Sequence, residues 1–325
     1  MTQNFTPDHT LRSTLNIAVF GAANVDISAS SQTAVLPGDS TPGRVTTTAG
    51  GVARNIAENL ARLGLNAHLI SAVGVDVQGQ FLLDHTRRVG VDVSKCSIFP
   101  GQATGSYLSL NQPDGASMAA VADMAVLDSL TPEKLARHTD FMPAARVWAV
   151  DCNLSEASIA WLMKNQSTAP VFVDGVSSHK CTRILPWLQG VHTLKINRLE
   201  AQTLTGMPVG DAGQAQIAAH DLCSRGVENV VVSLGAGGVC WHQRAVNASG
   251  HIPALPVTAV NSNGAGDALT AALVYGVLAR WPLEQSVRFA NACAALTMLS
   301  ASANHPELSV ANVSQLMVKT RAGLT

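Results

Sequence analysis

Asn263-Gly264-Ala265-Gly266-Asp267 runs without a break into the apolar stretch Ala268-Leu269-Thr270-Ala271-Ala272-Leu273-Val274. These types, in this order, suit phosphoryl chemistry. Glycine admits positive φ and lets a ligand approach the main chain closely. The first amides of a helix have no intrahelical acceptor and carry the positive end of the helix dipole. A glycine turn leading into a helix is therefore an anion site, for phosphate above all. An acid at that junction would repel a phosphate unless the chemistry needs it. A carboxylate there is suited to taking the proton from an attacking hydroxyl. The pattern points to phosphoryl transfer to an alcohol, with Asp267 as the base. The amides of Gly264, Ala265 and Gly266 would steady the charge that builds on the phosphate. A plain glycine turn capped by Asp267 fits the same five residues.

Two further groups sit upstream. Gly50-Gly51 opens a helical pattern over 52–63, which Gly64 closes. Val52, Ile56, Leu60 and Leu63 form one apolar face. Glu58 and Arg62 are four apart and suit a pair on an outer face. Asn55 lies in the first turn, where its amide could hold a ligand that the glycine backbone also touches; helix capping without a ligand is the other reading. Gly21-Ala22-Ala23-Asn24-Val25-Asp26 follows the first apolar run directly. An acid two residues after an amide, at the C-terminal end of a strand, suits a diol; a turn acid with no ligand is the alternative.

These groups need a scaffold. Short apolar runs at 15–20, 67–73, 146–150, 171–174, 192–196 and 229–234 alternate with helical patterns at 52–63, 76–89, 156–165, 199–205 and 214–225. That alternation predicts an α/β fold with a parallel sheet covered on both faces. Val230-Val231-Val232 reads as a strand buried on both sides. Two stretches break the pattern. Residues 27–48 are rich in Ser, Thr, Pro and Gly, and 104–122 read as a hairpin turning at Asp114-Gly115. Together they predict a small sheet over the site, which would keep water from the phosphate; ordinary surface loops are the plainer reading.

Composition excludes several classes. With 325 residues, 47% of them hydrophobic, the chain suffices for one large domain or a domain with a small appendage. A net charge of −1 gives no basic surface for nucleic acid. No unbroken apolar stretch reaches bilayer length, and residues 1–12 lack an apolar signal core. Cys96, Cys152, Cys181, Cys223, Cys240 and Cys293 show no metal-like spacing and read as reduced, which suits the cytoplasm. A nicotinamide-dependent dehydrogenase is excluded because no G-x-G-x-x-G follows the first strand.

Taken in order, four motifs resemble the ribokinase-like carbohydrate and nucleoside kinases, the PfkB family. They are Gly21-x-x-Asn24-Val25-Asp26, Gly50-Gly51-x-Ala53-x-Asn55-x-Ala57, Lys195-x-Asn197-x-x-Glu200 and Asn261-x-x-Gly264-Ala265-Gly266-Asp267. The runs Gly50-Gly51-Val52-Ala53-Arg54-Asn55, Ser106-Tyr107-Leu108-Ser109-Leu110 and Val150-Asp151-Cys152-Asn153-Leu154-Ser155 resemble the pseudouridine-phosphorylating members. Departures are Asn261 where many members have Asp, Asn263 for a common Thr, Gly175 for an expected Pro, and Ser233-Leu234-Gly235-Ala236-Gly237-Gly238, which lacks a polar side chain common in that loop.

The resemblance implies a three-layer α/β/α kinase domain over 14–320, with a mostly parallel central sheet. Insertions at about 27–48 and 100–123 would form a small β-sheet lid. It implies ATP and Mg2+ as cofactors, K+ as an activator in some members, and a nucleoside 5′-hydroxyl as acceptor. Other nucleosides, ribose, or binding without catalysis are the rival readings. Asn24, Asp26, Gly50, Gly51 and Asn55 would grip the ribose. Thr104, Ser106 and Asn153 would read the base, with Asp123 and Arg54 as further candidates. Lys195, Asn197, Ser233, Gly235, Gly238, Asn263 and Asn291 would surround the nucleotide. Asn197 and Glu200 would hold Mg2+, mainly through water. A homodimer paired through the lid is the implied assembly.

Overall fold

The apolar run after Leu15 folds as β1 (Asn16–Phe20), and Ile17 to Phe20 are fully buried. Ile17 and Val19 join one core, Ala18 and Phe20 the other. A strand covered on both faces must lie inside a layered structure. The computed structural model, which describes residues 15–321 apart from 37, 115, 139, 140 and 167, shows that layering.

Along the chain, β2 (Asn24–Ser31) and β3 (Gly43–Gly50) lead into α1 (Val52–Arg62), β4 (Asn66–Ile70), β5 (Ala72–Gly74) and α2 (Val77–Arg88). Then come β6 (Ser97–Phe99), β7 (Ser106–Asn111), β8 (Ser117–Asp123), the short α3 (Ala125–Asp128) and α4 (Pro132–Leu135), and β9 (Ala145–Asp151). The second half holds α5 (Glu156–Asn165), β10 (Val171–Asp174), β11 (Thr193–Asn197), α6 (Arg198–Thr205), α7 (Ala212–Ser224) and β12 (Asn229–Ser233). It closes with β13 (Val239–Gln243), β14 (Ala248–Ile252), α8 (Ala265–Leu278), α9 (Leu283–Met298) and α10 (Val310–Arg321).

The central sheet runs β14-β13-β12-β11-β10-β9-β1-β4. The strands from β12 to β4 are parallel, while β13 and β14 add an antiparallel edge. Apolar residues of α1, α8, α9 and α10 fill one core, and those of α5, α6 and α7 the other. The expected α/β/α layering with a mostly parallel sheet is what the chain adopts.

Two details differ from expectation. The run at 67–73 breaks at Ser71, whose hydroxyl donates to the Gly21 carbonyl at 2.6 Å. Beyond that break β5 leaves the central sheet and pairs with β6. The β13–β14 hairpin carries no sequence expectation at all.

The two non-helical stretches do form a small sheet, ordered β3-β2-β7-β8. It begins earlier than expected, at Asn24, so the end of the Gly21–Asp26 motif is itself part of the strand. Gly115 of the expected turn and residues 1–14 lie outside the described residues. Among the described residues no helix is long and apolar enough to cross a membrane. All six cysteines are free.

Candidate active site

In a parallel sheet the C-terminal strand ends share one edge, where ligands bind. Here the register sets Asp174, the last residue of β10, between Asp151 of β9 and Lys195 of β11. Asn197 ends β11 beside Ser233 of β12. One edge thus collects two acids, a lysine, an amide and a hydroxyl.

Asp151 organises the turn after β1. Its Oδ2 accepts from the amides of Ala22 and Ala53, both at 2.9 Å, and its Oδ1 from that of Asn153 at 2.9 Å. Gly21, at φ +145°, leaves room for this carboxylate, because a Cβ there would fall 2.2 Å from Asp151 Cγ. Burial pushes the Asp151 carboxyl up to about 6, against the pull of those amides. One side chain therefore ties the turn after β1 to the first turn of α1.

Asn24 and Asp26 follow from that turn, with Asn24 Nδ2 donating to Asp26 Oδ1 at 2.7 Å. Burial raises the Asp26 carboxyl, while Asn24 and Arg54 oppose the shift. Asn24, Asp26, Gly51, Asn55 and Asn153 line a cavity of about 270 Å³, together with Tyr107, Met124, Val176 and Lys180.

A second cavity, of about 470 Å³, is lined by Lys195, Asn197, Ser233, Gly235, Gly238 and Asn291. Leu234, Val239, Leu255 and Met298 give it apolar walls, which suit a planar base above a polar phosphate end. Asn291 Nδ2 donates to the Pro253 carbonyl at 2.8 Å. Asn263 does not line this cavity; Ser262 does. Asn261 instead builds the turn, its Oδ1 accepting from the Asn263 amide and its Nδ2 donating to the Ala301 carbonyl, both at 2.9 Å.

Asp267 lines neither cavity but adjoins a lining residue of each. Gly266, just before it, lines the larger cavity. Asn55, which lines the smaller one, donates from Nδ2 to Asp267 Oδ2 at 2.7 Å. Gly264 caps α8 at φ +77°, so Asp267 stands in the first helical turn. Burial first, and Asp174 second, push the Asp267 carboxyl up to about 7, with Lys195 and Asn55 resisting. Asp174 is held by Lys195 Nζ at 3.2 Å and by the Thr270 hydroxyl at 2.7 Å.

Several expected residues are placed elsewhere. Arg54 is 1% exposed and does not line the smaller cavity. It donates to Glu58 at 2.6 Å, to Asn304 at 2.5 Å and to Asn55 Oδ1. Because Asn55 Oδ1 is taken, its Nδ2 must face Asp267. Glu58, expected on an outer face, is buried and pairs with both Arg54 and Arg62.

Thr104 spends its hydroxyl and its amide on Asp76, at 2.6 and 2.7 Å, and does not line the cavity. Ser106 does not line it either. Strand side chains alternate between faces, so the next register pair, Tyr107 with Ala122, presents the cavity-facing side chains. Asp123 is exposed, and its Oδ1 accepts from the Ala125 amide at 3.2 Å.

Asn197 and Glu200 form a reciprocal cap on α6. Asn197 Oδ1 accepts from the Glu200 amide at 3.0 Å, and Glu200 Oε2 from the Asn197 amide at 2.9 Å. Glu200 is 1% exposed, and burial pushes its carboxyl up to about 7. Only Asn197 of the two lines the nucleotide-sized cavity. Among the described residues no cluster of three or more His, Cys, Asp or Glu is placed to hold a metal.

The residues that sequence reasoning missed are Asp151, Asp174, Thr270, Tyr107 and Lys180. A signal existed for the first two, since each is an acid that ends an apolar strand.

Two cavities, each with a lining residue next to one buried acid on a glycine-capped helix, suit transfer between two bound molecules. The model of the pfkB family carbohydrate kinases matches residues 14–309. The chain belongs to the pfkB family. This pfkB kinase is 41% identical to the pseudouridine kinase of Escherichia coli K12 over 302 residues, covering 93% of this chain and 96% of that one. It is 37% identical to an uncharacterized sugar kinase of the same organism, covering 92% and 82%. Arabidopsis thaliana ribokinase, solved with ribose and ATP, superposes with a TM-score of 0.82 at 22% identity, covering 93% and 99%; that likeness shows the ribokinase fold. The pfkB kinase is thus an ATP-dependent phosphotransferase acting on a small sugar or nucleoside.

Proposed function

We propose that this pfkB kinase transfers the γ-phosphoryl group of ATP to the 5′-hydroxyl of pseudouridine, giving pseudouridine 5′-phosphate and ADP. Asp267 is the general base. The observation that carries this reading is that Asp267 follows Gly266, which lines the larger cavity, and accepts a hydrogen bond from Asn55, which lines the smaller one. The 5′-oxygen attacks the γ-phosphorus, the bond to the β,γ-bridging oxygen breaks, and the hydroxyl proton passes to Asp267. The amides at the start of α8, from Gly264 to Gly266, stabilise charge on the transferring group. Asn24, Asp26, Gly51 and Asn55 hold the ribose so that its primary hydroxyl is in line.

Asn197 is the residue that would meet a magnesium ion, with Glu200 buried behind it as its support. That arrangement fits an ion that keeps most of its water shell. When bound, the ion would neutralise phosphate charge.

Pseudouridine as the acceptor rests on the 41% identity over nearly the whole length of both chains. Initial rates of ADP release with pseudouridine, uridine, adenosine and ribose test it. Pseudouridine is expected to give the highest kcat/KM; a higher value for any other acceptor overturns the substrate assignment.

Two further outcomes follow from the site. Asp26→Ala is expected to raise the nucleoside KM by about 10- to 100-fold, because a charge-assisted bond to the sugar is lost. The change in kcat should be small, and unaltered saturation kinetics would take Asp26 out of the pocket. The base must be unprotonated to act, and burial keeps Asp267 protonated up to near neutrality. The kcat/KM profile is therefore expected to rise with unit slope below pH about 7 and then level off. A profile flat down to pH about 5 contradicts the assignment.

The reading includes pairing of two copies through the small sheet, whose Val45, Leu108, Met118 and Val121 are exposed apolar residues. Light scattering on the purified protein tests it.

A further inference from the structure

The acceptor cavity has a wall that phosphoryl transfer does not use. Asn153, Lys180 and Val176 line it, and all three are held in place. Arg183 donates to the carbonyls of Cys152, Asn153 and Leu154 at 3.1, 2.9 and 2.8 Å, gripping the loop that carries Asn153. Lys180 Nζ donates to Asn153 Oδ1 at 2.6 Å. Val176 sits at φ +66°, with the Ser177 amide donating to the Gly175 carbonyl at 2.7 Å and its own amide to Asp174 Oδ1 at 3.0 Å. A β-branched residue rarely adopts that backbone. Such strain persists only where the surroundings over-determine it, and it clusters at ligand sites.

The hydrogen-bonding character of this wall is one-sided. An ammonium has three donors and no acceptor, and only one donor is committed to Asn153. Asn153 Oδ1 is taken by Lys180, and its side-chain amide also serves the Asp151 carboxylate, so the uncommitted donors of the wall are those of Lys180. Burial already makes the charged form of Lys180 less favourable. Such a wall asks its ligand for acceptor oxygens. In the reading proposed above, the sugar hydroxyls would be met elsewhere in the cavity, by the carboxylate of Asp26 and the amides of Asn24 and Asn55, which also line it.

We propose that Lys180, held by Asn153, is a specificity-determining residue that donates to a carbonyl oxygen of a dioxopyrimidine base. The acceptor cavity thereby selects a uracil-type base over a bare sugar and over a base without carbonyls. The inference rests on the nucleoside reading above and deepens it. Pseudouridine and uridine carry the same two carbonyls, so Lys180 selects the class of base and leaves the choice between those two to other contacts.

The test compares the wild type with Lys180→Met and Lys180→Gln in the full chain. KM and kcat are measured with pseudouridine, and ribose and adenosine serve as competitors at saturating ATP. Lys180→Met is expected to raise the pseudouridine KM by about 10- to 100-fold, with kcat within about threefold. The KM for ATP and the inhibition constants of ribose and adenosine should stay unchanged. Lys180→Gln keeps two N–H donors without the charge and should lose less; it also carries the test if the Met variant folds poorly. A pseudouridine KM within twofold of wild type in both variants overturns the proposal. So does an equal loss for ribose, which would mean that Lys180 only shapes the cavity. The wild-type measurements judge the parent reading separately: if the enzyme phosphorylates a sugar and no nucleoside, that reading fails and this inference falls with it.

Discussion

Asp267→Asn is expected to lower kcat by about 10²- to 10⁴-fold, the usual contribution of a positioned general base. The substitution is nearly isosteric. The new amide oxygen can still accept from Asn55 Nδ2, which now bonds Asp267 Oδ2 at 2.7 Å, so the start of α8 should stay in place. Binding of ATP, made in the neighbouring cavity, should be unchanged. The melting temperature should hold within a few degrees, because the change removes a buried carboxylate that burial and Asp174 disfavour, while Lys195 keeps Asp174 as its partner. The measurement is kcat with pseudouridine, alongside nucleotide affinity by calorimetry. Near-wild-type turnover would show that another group takes the proton. Loss of ATP binding together with turnover would show a structural role.

Gly264→Ala is expected to cost about 10²- to 10³-fold in kcat, for a reason independent of proton transfer. Two constraints coincide at this residue. Its φ is +77°, and a Cβ would fall 1.8 Å from the carbonyl oxygen of Ala303. The obstacle is main chain, so no rotamer change relieves it, and the first turn of α8 has to move. The amides of Ala265 and Gly266 and the carboxylate of Asp267 would move with it. Gly206→Ala is the matched control. It too has positive φ, +72°, at the C-terminal end of α6, but nothing lies within 4 Å of its would-be Cβ. It should lose roughly 1 kcal/mol of stability from backbone strain alone and keep its kcat. Equal kinetic losses in the two variants would mean that general destabilisation, not displacement of the helix start, explains Gly264.

What the sequence revealed of this site divides along a physical line. The two glycine-led helices, Asp267 and the Asn24–Asp26 pair were legible, because each is a local pattern whose chemistry follows from residues a few positions apart. The parallel sheet was legible because strands such as β1 and β12 are apolar on both faces. The residues that fix the geometry were not, since their partners are far away in sequence. Asp151 acts through amides at Ala22 and Ala53, 129 and 98 positions upstream. Arg54 sets the orientation of Asn55 while bonded to Asn304, 250 positions on. On the small sheet an error of one residue, Ser106 for Tyr107, was enough to choose the wrong face, because alternation inverts every side chain. Spacing also could not tell a metal ligand from a helix cap at Asn197 and Glu200, where both readings call for the same residues three apart.

The most direct test of the central claim is the identity of the product. The wild-type enzyme would be incubated with pseudouridine, ATP and magnesium, and the new phosphorus resonance assigned by its coupling to sugar protons. The result expected is one phosphate ester coupled to the 5′-methylene protons, formed in step with ADP. Phosphate on another hydroxyl, or ADP and inorganic phosphate with the nucleoside unchanged, would contradict it.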